Sequence, residues 1–144
     1  SLLAGVVNNE NDMKLKNLSK LGESFGMIFQ ITDDILDYSG DESEIGKNIG
    51  DDLAEGKITL PLIYAIKMGT KIQSELIKNS IKLNKINELP NIISILEDTK
   101  AINAVKKKAE EYLVAISEAA NKEKDSPYKK MIMDLAEYAI NRKG

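Results

Sequence analysis

Three aspartates, Asp33, Asp34 and Asp37, stand at the end of a helix-forming stretch. At 100° per residue, Gly26, Gln30, Asp33 and Asp37 fall within about 60° of one another, and Asp34 flanks them. Carboxylates at i and i+4 lie within reach of one metal ion or a bridged pair, and Gly26 leaves room for a bulky substrate along the same face. The arrangement is locally unfavourable. Aspartate is a poor helix former, the charges repel, and the negative end of the helix dipole opposes them. A cation would resolve that conflict, although an acidic helix end bathed in solvent is the plainer account of three acids taken alone. Two lysines, Lys47 and Lys57, each directly preceded by glycine, follow in a polar stretch. Lysines on glycine-rich backbone beside a carboxylate cluster point to a polyanion whose charge is shared between metal and ammonium groups.

Two other motifs are excluded. From Gly50 to Gly56-Lys57 there are five intervening residues, and Ile58 stands where a P-loop needs Ser or Thr. Asp33-Asp34-Ile35-Leu36-Asp37 lacks the alternating oxygen spacing of an EF-hand loop.

The elements that must position these residues read as helices throughout. Only 5% of the residues are aromatic, no credible strand alternation is present, and apolar residues recur at three- and four-residue intervals. The spacing predicts a helix over 17–38 with Leu18, Leu21, Phe25, Phe29, Thr32 and Leu36 on its buried side, ended by Gly40. Residues 39–57 read as a long loop of the kind that tends to be functional. Thr59 and Pro61 supply a cap and a first-turn signal for a helix to about Met68, which Gly69 ends. Further helices are expected at about 70–79, 90–98 and 100–121. Ser126-Pro127 then opens a last helix through Arg142, with Tyr128, Met131, Leu135, Tyr138 and Ala139 buried.

Composition narrows the chemistry. The chain has 144 residues, no cysteine, no histidine and a formal net charge of −3. Thiolate nucleophiles, imidazole bases and nearly all zinc sites are thereby excluded. Carboxylates and lysines remain, and these suit Mg2+ and phosphates. The mixed charge offers no basic field for nucleic acid. No apolar run reaches the roughly 20 residues that span a bilayer, and no signal-peptide pattern opens the chain. A soluble, cytoplasmic, non-transmembrane chain is expected. Ser1 to Val7 reads as the end of an apolar helix cut short, so a fragment is expected, with an ordinary trimmed terminus as the alternative.

The run from Gly26 to Asp37 resembles the G-x-x-F-Q-x-x-D-D-x-x-D stretch of the trans-isoprenyl (polyprenyl) diphosphate synthases. The run from Gly46 to Pro61 resembles that family's G-K-x-x-G-x-D-L-x-x-G-K-x-T-L-P signature. Ser126-Pro127-Tyr128 and Leu135-Ala136-x-Tyr138-x-x-x-Arg142 are similar to the C-terminus of the long-chain bacterial branch. The resemblance spans residues 1–144 as the C-terminal part of a synthase domain. It implies an all-α fold, the C-terminal helices of the isoprenoid-synthase bundle.

The resemblance further implies that Asp33, with Asp34 and Asp37, holds Mg2+ against the diphosphate of an allylic substrate, that Lys47 and Lys57 contact that diphosphate, and that Phe29 and Gln30 face the reacting end of the cavity. Family chemistry is ionisation of the allylic diphosphate, attack by the double bond of isopentenyl diphosphate, and loss of a proton. The departing diphosphate can itself serve as base. A homodimer is implied for the full-length protein. The family's first aspartate motif, its paired arginines and its N-terminal helices are not found here, and the one arginine, Arg142, lies at the far end. The chain alone is therefore expected not to carry out the condensation. A non-catalytic helical subunit, or a degenerate homologue that regulates a complete synthase, is the alternative; a plain interaction module would leave the spacing as coincidence.

Other features read more plainly. Lys106-Lys107-Lys108 is a solvated helix face, and Met27, Met68, Met131 and Met133 are core filling. Asp51 replaces the small residue expected beside Asp52, where it caps a helix or slightly weakens anion binding.

Overall fold

The computed structural model describes residues 12–39, 49–122 and 127–141. Among them every regular element is helical, and no strand occurs. The elements are α1 (Asp12–Ser39), α2 (Asp51–Ala54), α3 (Leu60–Met68), α4 (Lys71–Lys82), a 3₁₀ turn (Ile86–Glu88), α5 (Leu89–Asp98), α6 (Ala101–Asn121) and α7 (Pro127–Asn141). The all-α expectation holds. None of the described helices is long and apolar enough to cross a membrane.

The helices form two compact units, and the divisions fall inside α1 after Thr32 and inside α6 before Lys108. In the unit that includes residues 33–107, the core is built from Tyr38, Leu53, Leu62, Ala65, Ile77, Ile92, Ile95, Leu96 and Ala101. Local signals agree with this packing. Thr70 caps α4 in a reciprocal box with Gln73, which satisfies two N–H groups that the first turn would otherwise leave unpaired. Pro61 and Pro90 occupy the opening turns of α3 and α5, where a missing N–H costs nothing. In the other unit, Ile28 of α1, Ile116 of α6, and Ala136 and Ala139 of α7 form the buried cluster.

Several sequence expectations need correction. On α1 the buried residues are Ser24, Ile28, Ile31, Thr32, Asp34, Ile35 and Tyr38, while Leu18, Leu21, Phe25, Phe29 and Leu36 are only half-buried. The helix is apolar over more than half its circumference, so the hydrophobic pattern defines its dry side only to within about 100°, one residue's turn. On α7, Met131, Leu135 and Tyr138 are exposed; the buried contacts fall to Ala136 and Ala139, whose small side chains allow close helix approach. Met68 and Met131 are also exposed, so core filling describes only the half-buried Met27 and Met133. Lys106 and Lys107 are exposed as expected, and Lys108 pairs with Glu111. The predicted loop over 39–57 contains the short helix α2, with Asp51 at its first position. Gly40, Ser126, Arg142, the N-terminal run and the side chain of Tyr128 lie outside the described residues.

Candidate metal and diphosphate site

The predicted polar stripe of α1 is exposed at Gly26, Gln30 and Asp33. A Cβ built on Gly26 would meet no heavy atom within 4 Å. Phe29 packs against the Ile28–Ile116 cluster, and both Phe29 and Gln30 belong to the unit built on that cluster.

Asp33, Asp34 and Asp37 belong to the other unit and differ sharply in surroundings. Asp33 is exposed and Asp37 half-buried, whereas Asp34 is buried. Asp34 accepts a 2.8 Å hydrogen bond at Oδ2 from the N–H of Leu60, the first residue of α3. The Asp37 Oδ1 accepts from the N–H of Asp52, in the first turn of α2, at 3.2 Å. The backbone carbonyl of Asp37 takes the Gly50 N–H at 2.9 Å. The carboxylates of Asp34 and Asp37 therefore each meet an N–H in the first turn of another helix.

Tyr38, the next residue of α1, completes the attachment. Its phenolic oxygen accepts a 3.2 Å hydrogen bond from the Thr59 hydroxyl, and both side chains are buried. Thr59 is thus the cap residue of α3 by position, but its side chain makes no cap bond. Burial raises the Tyr38 phenol well above its ordinary range, against the opposing pull of the Thr59 hydroxyl; the nearby charges of Asp37, Asp52 and Asp34 add to the rise. Sequence reasoning missed Tyr38, because an aromatic at a helix end gives no signal of what its oxygen meets.

Lys57 lies within the segment that these bonds hold. Its ammonium group is exposed and bridges Glu55 at 2.6 Å and Asp52 at 3.1 Å. The Glu55 contact, then Asp52, keeps it protonated to higher pH than an ordinary lysine. Gly50 and Gly56 flank the turn at φ +83° and +70°, a region that glycine enters without steric cost. Lys47 lies outside the described residues. Among the described residues no group of three acidic side chains is arranged to hold a metal ion by itself.

The structure thus links Asp37, Asp52 and Lys57 by hydrogen bonds and an ion pair and ties Asp34 separately to the first residue of α3, with Asp33 exposed on α1. The exposed donors are carboxylate oxygens and an ammonium, the groups that meet a hard cation and a phosphate.

Residues 1–98 match the polyprenyl synthetase family model. The chain is 34% identical over 140 residues to the octaprenyl diphosphate synthase of Haemophilus influenzae, a match covering 96% of this chain and 43% of that protein. Its fold resembles the decaprenyl diphosphate synthase of Rhodobacter capsulatus, with a TM-score of 0.86 at 29% identity, over 98% of this chain and 44% of that one. It also resembles the polyprenyl synthase of Caulobacter crescentus solved with calcium and isoprenyl diphosphate, with a TM-score of 0.83 at 28% identity, over 93% of this chain and 42% of that one. The chain spans less than half the length of these relatives.

Proposed function

The chain belongs to the polyprenyl synthetase family, and from that premise we propose that it contributes the second metal-binding aspartate motif and the diphosphate-binding lysines of a prenyltransferase that elongates allylic diphosphates with isopentenyl diphosphate. The observation that carries this reading is that Asp37 is bonded to Asp52 and Asp52 to Lys57, while Asp34 holds the start of α3 and the neighbouring Asp33 is exposed. Asp33 would be the first contact for Mg2+, with Asp34 and Asp37 completing the acidic helix end. The bond to Asp52 does not exhaust Asp37, since a carboxylate offers about four acceptor positions. A bound Mg2+ supplies charge neutralisation on the diphosphate leaving group. Calcium and isoprenyl diphosphate in the Caulobacter relative support a divalent ion and this ligand class.

Lys57 supplies the complementary charge. It must exchange part of its contact with Glu55 and Asp52 for a diphosphate oxygen, and an exposed lysine is cationic at neutral pH with either partner. Lys47 is assigned the same role by its place in the motif. Phe29 and Gln30 are assigned to the reacting end of the prenyl cavity, and a homodimer to the full-length protein.

The test uses this chain with Mg2+ and inorganic diphosphate. Binding to the folded form alone stabilises by RT ln(1 + [L]/Kd), about 2.7 kcal/mol at 100 times Kd. The melting temperature is expected to rise with both ligands together and much less with either alone, because bare diphosphate is repelled by the aspartates. Asp33→Ala combined with Asp37→Ala should abolish the joint rise. A rise that survives the double substitution, or none in the parent chain at millimolar ligand, would remove the assignment.

A further inference from the structure

The three aspartates of the motif do not share one task. We infer that Asp34 is a positioning residue: from α1 it caps the first turn of α3 and so fixes the segment that carries Lys57. This rests on the site reading above but draws on different observations. Asp34 is buried, unlike Asp33, and its Oδ2 lies 2.8 Å from the Leu60 nitrogen. The residue that should cap α3, Thr59, instead gives its hydroxyl to Tyr38. A helix start has N–H groups with no partner inside the helix, and a buried one needs an acceptor from elsewhere. Asp34 supplies it, and the positive end of the α3 dipole favours its charge.

The consequence reaches Lys57 through the backbone. The segment from Gly50 to Leu60 is attached to the last turns of α1 at Gly50 and Asp52 by Asp37, at Thr59 by Tyr38, and at Leu60 by Asp34. The Lys57 N–H donates to the Asp52 carbonyl at 2.8 Å, so Lys57 stands between two attachment points. Losing the Asp34 bond removes one of the two attachments, at Thr59 and Leu60, that hold the end nearer Lys57.

The distinction is between an acceptor oxygen and a charge. Asn at position 34 keeps an oxygen for Leu60 but has no charge for a cation; Ala keeps neither. Amide hydrogen exchange of Leu60, measured by NMR on this chain without ligands, should quicken by roughly tenfold in Asp34→Ala and stay within about threefold of the parent in Asp34→Asn. In titrations with Mg2+ and inorganic diphosphate, Asp34→Ala should weaken joint binding and Asp34→Asn should recover most of the loss, whereas Asp33→Ala and Asp33→Asn should be equally impaired. Equal exchange in the two position-34 variants would overturn the inference. So would Asp34→Asn losing binding as fully as Asp33→Asn with Leu60 still protected. If the parent chain binds no diphosphate, the metal assignment fails, while the exchange comparison still decides the cap.

Discussion

Replacing Tyr38 with Phe removes one oxygen from the centre of the attachment between α1 and the Lys57 segment, and its effect should change with pH. The oxygen accepts from Thr59 at 3.2 Å, between side chains only 5% and 3% exposed. Phe leaves the Thr59 donor buried without that acceptor, at a cost of about 1–3 kcal/mol. For a chain of this size, 1.5 kcal/mol would lower the melting temperature by roughly 4 °C at pH 8. The alkaline range then acts on the parent alone. Its folded-state phenol is raised above the ordinary value of 10.0, so the stability from keeping Tyr38 protonated is complete below pH 10 and is lost as pH rises beyond it. At pH 11 the unfolded parent releases that proton and the folded parent retains it, which costs the parent up to about 1.4 kcal/mol. The remaining tyrosines are common to both chains and cancel. Circular-dichroism melts of the two proteins from pH 8 to pH 11 should therefore converge. A difference that stays constant across the range would show that Tyr38 ionises like a solvated phenol. No difference at pH 8 would show that the hydrogen bond contributes nothing.

Two further outcomes test the same segment. Gly50→Ala should destabilise by about 1–2 kcal/mol, because φ is +83° and the new Cβ would lie 2.8 Å from a Leu89 methyl; an unchanged chemical denaturation midpoint would refute the assigned turn geometry. Lys57→Ala should weaken Mg2+-dependent diphosphate binding by roughly tenfold, most strongly at low salt, with little change in melting temperature. Calorimetric titration at two ionic strengths checks this, and an undiminished affinity would remove Lys57 from the diphosphate contacts.

Much of the helical layout could be read from the chain. The predicted segments over 70–79, 90–98 and 100–121 correspond to α4, α5 and α6, where apolar residues recur at helical spacing and Thr70 and Pro90 stand at the starts of α4 and α5. Helix faces were harder to read. On α1, isoleucines at 28, 31 and 35 compete with phenylalanines at 25 and 29 for the core, and periodicity does not say which set meets a partner. On α7, side-chain size favours Met131, Leu135 and Tyr138, but burial goes to alanines that let helices approach. Short α2 carried no stripe at all, since four residues make barely one turn.

The candidate site shows why residue types can be legible while their tasks are not. Three aspartates at the negative end of a helix conflict with the helix dipole, and a cation is one remedy. The fold supplies another for two of them: the carboxylates of Asp34 and Asp37 reach N–H groups in the first turns of α3 and α2, where the dipoles are positive. The local conflict is therefore an argument for a metal chiefly at Asp33, whose side chain is exposed. The same bonds set the position of Lys57, so the motif's internal spacing serves two requirements at once. Asp33 is placed on the exposed face of α1, and Asp34 and Asp37, one and four residues later, turn toward the helices on either side of the lysine. No inspection of the aspartates alone separates these roles, because the partner atoms are backbone N–H groups 15 and 26 residues away, and a backbone donor leaves no mark in the sequence.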